Sequence, residues 1–331
     1  MSQQFQIVGL GNALMDVLVR LDDDSILSAQ SLDKGIMHPV DDQRWKEVYS
    51  VVETLPVERS LQTGGSCANT IATLGLMGAK VSYCGQVGDD SFGQEYTRQM
   101  QSACGHQSVV VGTGATGKCL SLVSADAERT MLTDLGAAVG MADLGSFAQA
   151  IEQADVLHLT GYLLLGDPMK SRLFDAVAIA KAAGVKISLD VADPWVVSAT
   201  AEVMKPLIEA HVDIVFLNEE EAVAMSGSTP EAAIEQLKSS CETVVVKLGK
   251  QGSMVAHAGK LVRAQAELVD AIDTTGAGDS YAAGFLYGLV SGWSMAASAR
   301  LGSQVAARTV AQLGAVVRDR DTLAACITAA E

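Results

Sequence analysis

The residues best suited to chemistry lie near the C-terminus, in the run Asp273-Thr-Thr-Gly-Ala-Gly-Asp279. Apolar residues follow it at helical spacing, so the glycines stand where a loop turns into a helix. The first turn of a helix directs unbonded N–H groups outward at the positive end of the helix dipole. Gly276, Ala277 and Gly278 therefore predict an anion hole for a phosphoryl group, with Asp279 as the general base beside it. A capped helix is the simpler alternative, but capping needs fewer of these residues.

Two further runs place polar groups beside apolar elements. Gly64 and Gly65 precede a second apolar helix that carries Asn69, whose amide could bind hydroxyl groups. Tight packing of that helix on a sheet explains the glycines equally well. Asn218 and Glu221 follow the strand-like run DIVFL, and such a strand end suits a hydrated Mg²⁺ ion. Acidic residues in a first helical turn also complement the helix dipole without binding any metal.

The turn from Lys247 to Gly252 lies between two strand-like runs. It predicts either a plain hairpin turn or a contact to nucleotide phosphates. Residues 112–119 nearly match a P-loop, but Cys119 replaces the Ser or Thr, and the following residues have a strand pattern where a P-loop opens a helix. Residues 9–14 begin like a dinucleotide-binding turn, but Leu14 stands at the third glycine position. A dehydrogenase and a non-catalytic binding protein are the rival classes.

The elements that must position these groups alternate along the chain. Strand-like runs are 5–10, 81–87, 156–160, 186–190, 214–217 and 243–248. Helix-like runs are 67–77, 92–104, 169–183, 230–239 and 278–290. This alternation predicts an α/β fold with a mostly parallel central sheet and helices on both faces. We expect one domain over residues 1–331.

Two segments interrupt the alternation, at about 14–40 and 107–133. The second contains the short strands SVVV, KCLSLVS and RTMLTD, separated by turn residues. Such runs are typical of hairpins. They predict a small β-sheet lid that could cover a substrate and pair edge to edge with a second subunit, giving a homodimer.

The overall composition excludes some classes of binding partner. The net charge is −16, which disfavours binding to nucleic acid. No run reaches the ~18 apolar residues of a membrane span, and the N-terminus has no signal-peptide pattern. The six cysteines are scattered, as is typical of reduced thiols. The sequence therefore predicts a cytoplasmic protein that acts on a small molecule.

Taken together, the runs GLGNALMD, GGSCANT, NEEEA, KLGKQG and DTTGAGD resemble the ribokinase-like (PfkB) carbohydrate and nucleoside kinases, nearly end to end. The resemblance implies a ribokinase-like three-layer sandwich and transfer of the γ-phosphate of ATP to a hydroxyl group, with Mg²⁺ as cofactor. It also implies a role for each matching position. Substrate hydroxyls would be bound by Asp16, Gly64, Gly65 and Asn69. ATP would be contacted by Asn218, Lys247, Gly249 and Gly252, with Glu221 holding Mg²⁺ through water. Asp273 and Thr275 would hold a monovalent cation, usually K⁺.

Two positions depart from the commonest form of that family. Ser66 stands where ribokinases commonly carry Lys, and Lys247 stands where many members have Thr. The runs AERTMLTDLGAAVGM and DVADPWVV are more similar to the bacterial adenosine-kinase-like branch. We therefore expect adenosine as the acceptor, with ribose, fructose and 2-keto-3-deoxygluconate as alternatives.

Overall fold

The chain folds around two β-sheets of different size. The computed structural model describes residues 5–106, 108–126 and 128–331. The strands are β1 (Phe5–Leu10), β2 (Leu14–Arg20), β3 (Met37–Pro39), β4 (Arg59–Gly64), β5 (Val81–Val87), β6 (Val109–Val111), β7 (Gly117–Val123), β8 (Arg129–Asp134), β9 (Ala154–Thr160), β10 (Lys186–Asp190), β11 (Ile214–Asn218), β12 (Thr243–Lys247), β13 (Ser253–His257) and β14 (Lys260–Ala264). The helices are α1 (Ser25–Ala29), α2 (Asp42–Glu53), α3 (Ser66–Leu76), α4 (Ser91–Cys104), α5 (Phe147–Glu152), α6 (Met169–Ala183), α7 (Pro194–Ala199), α8 (Ala201–His211), α9 (Glu219–Ser226), α10 (Pro230–Leu237), α11 (Ala277–Val290), α12 (Met295–Val310) and α13 (Arg320–Ala330).

The larger sheet has nine strands in the order β14-β13-β12-β11-β10-β9-β1-β5-β6. All neighbours from β12 to β6 pair in parallel, while β13 and β14 add an antiparallel hairpin at one end. Successive side chains of a strand point to opposite faces. Accordingly, Leu157 and Leu159 pack into one core with α5 to α10, whereas Val156 and Phe216 pack into the other with α3, α4 and α11 to α13. The three-layer α/β prediction is confirmed.

The smaller sheet has the strand order β3-β8-β7-β2-β4. Helices α1 and α2 cover one of its faces, around the buried ring of Trp45. Its edge strands are β3 and β4, and Met37 on β3 is 45% exposed. The homodimer contact through this edge stays a prediction.

The structure corrects the predicted membership of the small sheet. The run SVVV was assigned to the lid, but Val109–Val111 pairs in parallel with β5 at the edge of the large sheet. The reason is the connection between the strands. Helix α4 joins β5 to β6, and such a helical crossover places the second strand parallel to the first. Conversely, β4 joins the small sheet although it lies outside both predicted segments. Gln107, at the start of the second segment, and residues 1–4 of the predicted domain lie outside the described residues.

The near match to a P-loop forms a strand. Gly117–Val123 is β7, and the ammonium of Lys118 pairs with Asp42 and Asp134 at 2.8 and 2.7 Å. A P-loop lysine must stand at the start of a helix. The interpretation of residues 112–119 as part of the small sheet rather than a P-loop is therefore confirmed for β7. No helix in the described ranges combines the length and apolar character needed to cross a bilayer.

Candidate active site

A cavity of about 580 Å³ opens where the strands of the large sheet end and helix α11 begins. In an open parallel sheet this edge is the usual place for a ligand. One wall carries Asp190, Asn218, Glu221 and Lys247, and another carries Gly276 to Asp279. The far end is lined by small and apolar residues, including Ala266, Leu268, Ala306, Ala307 and Val310. The cavity thus joins a charged end to an apolar end that could accommodate a flat base.

Asp279 stands in the first turn of α11, held from the opposite side by α3. Ser66 Oγ donates to its Oδ1 at 2.7 Å, and Asn69 Nδ2 donates to its Oδ2 at 2.9 Å. Desolvation raises the pKa of Asp279 to about 6, and the neighbouring Asp190 adds to the rise. The donors Asn69 and Ser66, together with Lys247, limit that rise. The carboxylate is fixed in direction and is a stronger base than an ordinary aspartate.

The glycine turn before Asp279 presents unbonded amides. Gly276 has φ +70°, and a Cβ there would lie 2.5 Å from the carbonyl oxygen of Ala315, so only glycine fits. Within the described ranges, the N–H groups of Gly276, Gly278 and Asp279 donate to no protein acceptor, whereas Ala277 N donates to the Thr274 carbonyl at 3.3 Å. The turn therefore offers several hydrogen-bond donors at the positive end of a helix dipole, as an anion hole requires.

Asp16 approaches the site from the small sheet. Its carboxyl group packs against Gly64, where a Cβ would collide with it. Burial raises the pKa of Asp16 to about 7, Arg129 opposes that rise, and Asp279 and Asp273 reinforce it. Gly65 forms the N-cap of α3, and Asn69 follows in that helix. Asn69 donates one amide N–H to Asp279, and its buried Oδ1, which accepts no hydrogen bond from the described residues, is available to an acceptor hydroxyl.

Arg129, on β8, is a member of this site that the sequence reasoning missed. Its side chain is 16% exposed, and the guanidinium donates to Ser121 Oγ at 2.8 Å. It also lies 4.0 Å from the carboxylate of Asp273. Nothing in the local sequence marks it, because its position follows from how the small sheet lies over the large one.

The predicted monovalent-cation residues form a closed hydrogen-bond network. Asp273 Oδ1 accepts from both the N–H and the hydroxyl of Thr275, and Oδ2 accepts from Gly314 N at 2.9 Å. The carboxylate of Asp273 therefore already accepts hydrogen bonds from several donors, and the positively charged Arg129 lies near it. The side chain of Asp273 is therefore a poor fit for a K⁺ ligand, and the cation site stays a prediction without support from this geometry.

The Asn218–Glu221 pair forms a capping box at the start of α9. Asn218 N and Nδ2 donate to the two oxygens of Glu221 at 2.6 and 2.7 Å, and Glu221 N returns a bond to Asn218 Oδ1 at 2.8 Å. Desolvation raises the pKa of Glu221 to about 7, although Lys247 opposes it. The pair fits a site for metal-bound water, since the carboxylate lies on the cavity wall with its orientation fixed.

Lys247 ends β12, and its Nζ donates to Asp190 Oδ2 at 2.8 Å. The short 3₁₀ turn that follows begins at Gly249 and is capped by Gly252, and both glycines line the cavity. Asp190 was missed by the sequence reasoning. The signal was present, because Asp190 ends a strand-like run just as Asn218 does. Thus the structure brings the predicted glycine turn, Lys247 and Asn218 to one cavity, with Asp190 added.

Known proteins with similar sequences and structures are kinases. The sequence profile of the pfkB family carbohydrate kinases matches residues 34–321. The chain is 30% identical to a ribokinase of Haemophilus influenzae, covering 76% of this chain and 82% of the relative. It is 28% identical to a 5-dehydro-2-deoxygluconokinase of Bacillus licheniformis, covering 78% and 84%. The crystal structure of an adenosine kinase from Sinorhizobium meliloti superposes with a TM-score of 0.87 and 30% identity over 99% of this chain and all of that one.

The profile match spans most of the chain, and the relatives agree on the type of reaction. The cavity holds the Asp279 carboxylate beside a turn with unbonded amides, as the predicted base and anion hole would require. The chain belongs to the pfkB family of carbohydrate kinases, and it is a phosphotransferase that acts on an alcohol group.

Proposed function

We propose that this chain transfers the γ-phosphate of ATP to the primary hydroxyl of a nucleoside, with adenosine as the first candidate. The observation that carries the proposal is the position of Asp279. Its carboxylate lies between Ser66 and Asn69, beside unbonded amides of the same helix turn. An acceptor hydroxyl bound there would meet a base and a phosphate site together.

The chain's own residues divide the work. Asp16 and Asn69 Oδ1 bind acceptor hydroxyls, and Asp279 takes the proton as the hydroxyl attacks. Gly276 and Gly278 donate hydrogen bonds to the oxygens of the phosphoryl group in transit. The Asn218–Glu221 pair would hold the water ligands of a bound Mg²⁺ ion, which would neutralise phosphate charge. The small sheet acts as the lid that keeps water from competing with the acceptor.

The similarity to the solved adenosine kinase supports a nucleoside acceptor, because it extends over both chains from end to end. A sugar acid is the second candidate, and Arg129 favours it. The Nε of that guanidinium is buried, and it bonds to none of the described residues. A carboxylate-bearing acceptor such as 2-keto-3-deoxygluconate could pair with it.

A panel assay tests both candidates. Purified protein with MgATP is offered adenosine, inosine, ribose, fructose and 2-keto-3-deoxygluconate, and ADP release is measured with a coupled enzyme. We expect kcat/KM to be highest for adenosine. Preference for the sugar acid would replace the nucleoside assignment, and an Arg129→Met variant would then lose that preference. If neither adenosine nor 2-keto-3-deoxygluconate is phosphorylated, both acceptor assignments are refuted.

A further inference from the structure

Three neighbouring strands of the large sheet end in polar side chains at the cavity. Asp190 ends β10, Asn218 ends β11 and Lys247 ends β12. Asn218 and Lys247 are register partners, so the lysine side chain must cross the end of β11 to reach Asp190. The resulting ion pair is 2.8 Å long, with its side chains only 13% and 5% exposed. Such a pair is fixed in place rather than solvated.

The ammonium of Lys247 lies at the N-terminus of α11. A Cβ placed on Gly278 would be 3.0 Å from Nζ, so the lysine lies close against the glycine turn. A cation at the positive end of a helix dipole is unfavourable unless an anion is present. Burial disfavours the charged ammonium, but Asp190 and Glu221 more than offset it and raise the pKa of Lys247. These carboxylates favour the charged form of Lys247, whose ammonium lies beside the amides of the same turn.

Among the described lining residues, the one that α3 contributes carries no such charge. Ser66 faces Asp279 from α3 with a neutral hydroxyl. Among the residues that line the cavity in the described part of the chain, the cationic ones are Lys247 and Lys250. Lys250 is exposed on the turn after β12, whereas Lys247 is beside the glycine turn itself.

A backbone hydrogen bond fixes the carboxylate of Asp190. Its Oδ1 accepts from the N–H of Ala192 at 3.0 Å, which leaves Oδ2 for Lys247. Ala192 has φ +83°, a conformation that costs a non-glycine residue free energy and is maintained by its surroundings. The turn at Ala192 thus fixes the carboxylate of Asp190, and this carboxylate positions the ammonium of Lys247.

Resting on the proposed kinase function, we infer that Lys247 is the protein's own cation for the phosphate being transferred, and that Asp190 is the positioning residue that holds it at the anion hole. When the triphosphate enters, the ammonium shares its hydrogen bonds between Asp190 and a phosphate oxygen. Between turnovers, Asp190 keeps the charge compensated.

The chain offers a matched control for this pair. Lys186 and Glu242 form an ion pair of 2.7 Å at the opposite, amino-terminal ends of the same strands, β10 and β12. Their side chains are 49% and 43% exposed. The comparison therefore sets Lys247→Met and Asp190→Asn against Lys186→Met and Glu242→Gln. Kinetics give kcat and both KM values, and calorimetry gives the affinity for MgAMP-PNP and for adenosine.

We expect Lys247→Met to bind MgAMP-PNP at least ~tenfold more weakly, as befits a lost charge-assisted hydrogen bond, and to bind adenosine as the wild type does. Lys247→Arg should recover part of the loss, and the two control variants should match the wild type. Asp190→Asn should lower kcat more than it changes the KM for MgATP. The acid limb of the rate profile should move down in Asp190→Asn and up in Lys247→Met, because Asp190 raises the pKa of Asp279 and Lys247 lowers it.

Unchanged MgAMP-PNP affinity and unchanged kcat in Lys247→Met would overturn the inference. If that variant does not fold, the Asp190→Asn, Lys247→Met double variant serves, since it removes both members of the buried ion pair. A wild type that binds MgAMP-PNP but phosphorylates no acceptor would refute the proposed function alone. The binding comparison would still decide the role of Lys247.

Discussion

Replacing Asp279 with Asn separates its chemical role from its structural one. Asn has the same shape, and its oxygen can accept from Asn69 Nδ2 while its amide donates to Ser66 Oγ, so the contacts at 2.9 and 2.7 Å can be kept. The fold should therefore survive, and the melting temperature should not fall. What is lost is the negative charge that accepts the acceptor's proton.

The size of the loss follows from the surroundings of the carboxylate. A general base contributes about 10²–10⁴ in rate. Because its pKa is raised to about 6, Asp279 is ionised at neutral pH yet more basic than an exposed aspartate. We therefore expect kcat to fall by ~10³–10⁴, or about 4–5.5 kcal/mol of transition-state free energy, with little change in the KM for MgATP.

The assay is steady-state kinetics between pH 5 and 9 with the best acceptor. The wild-type kcat/KM for the acceptor should decline below about pH 6 as Asp279 of the free enzyme becomes protonated, and this limb should vanish in the variant. Asp321→Asn is the control, because Asp321 likewise stands in the first turn of a helix, α13, away from the cavity. Retention of more than about half the activity would refute the assignment of the base, since even a weak general base contributes ~10².

Three further predictions address neighbouring groups. Glu221→Gln should raise the Mg²⁺ concentration needed for half-maximal rate, because an amide cannot accept from both donors of Asn218; an unchanged titration would exclude the role. Asp16→Asn should reduce the pH dependence of stability. The folded pKa of Asp16 is raised from 3.8 to about 7, so its stabilising contribution is present below pH 3.8 and is lost as pH rises through 7. Denaturant unfolding at pH 5 and pH 8 measures this, and an equal decline in variant and wild type would contradict it. If Asp273 and Thr275 hold K⁺, initial rates should be higher in K⁺ than in tetramethylammonium; equal rates would exclude the cation site and agree with the donors that Asp273 already has.

Much of the fold could be predicted from local pattern. The strand-like run Val81–Val87 gave a buried parallel strand with the predicted bounds, and Met169–Ala183 gave the predicted helix. The strand is short and buried on both faces, and the helix buries residues at helical spacing, so each has a recognisable local pattern. The short strands between 107 and 133 were harder to assign, since three apolar residues such as 109–111 fit either sheet, and pairing with β5 decided for the large one.

The sequence by itself determined the chemistry of the glycine turn, because the residue types and their spacing permit a helix N-terminus with a carboxylate in its first turn. Tertiary structure alone decided what surrounds that carboxylate. Ser66 and Asn69 are more than 200 positions away from Asp279, and Asp190 lies 57 positions from Lys247. Separations of this size carry no local periodicity. The contacts to Asp279 exist because α3 and α11 pack into one core on the same face of the large sheet. Asp190 meets Lys247 because the parallel strands β10 to β12 bring their carboxyl ends to one edge.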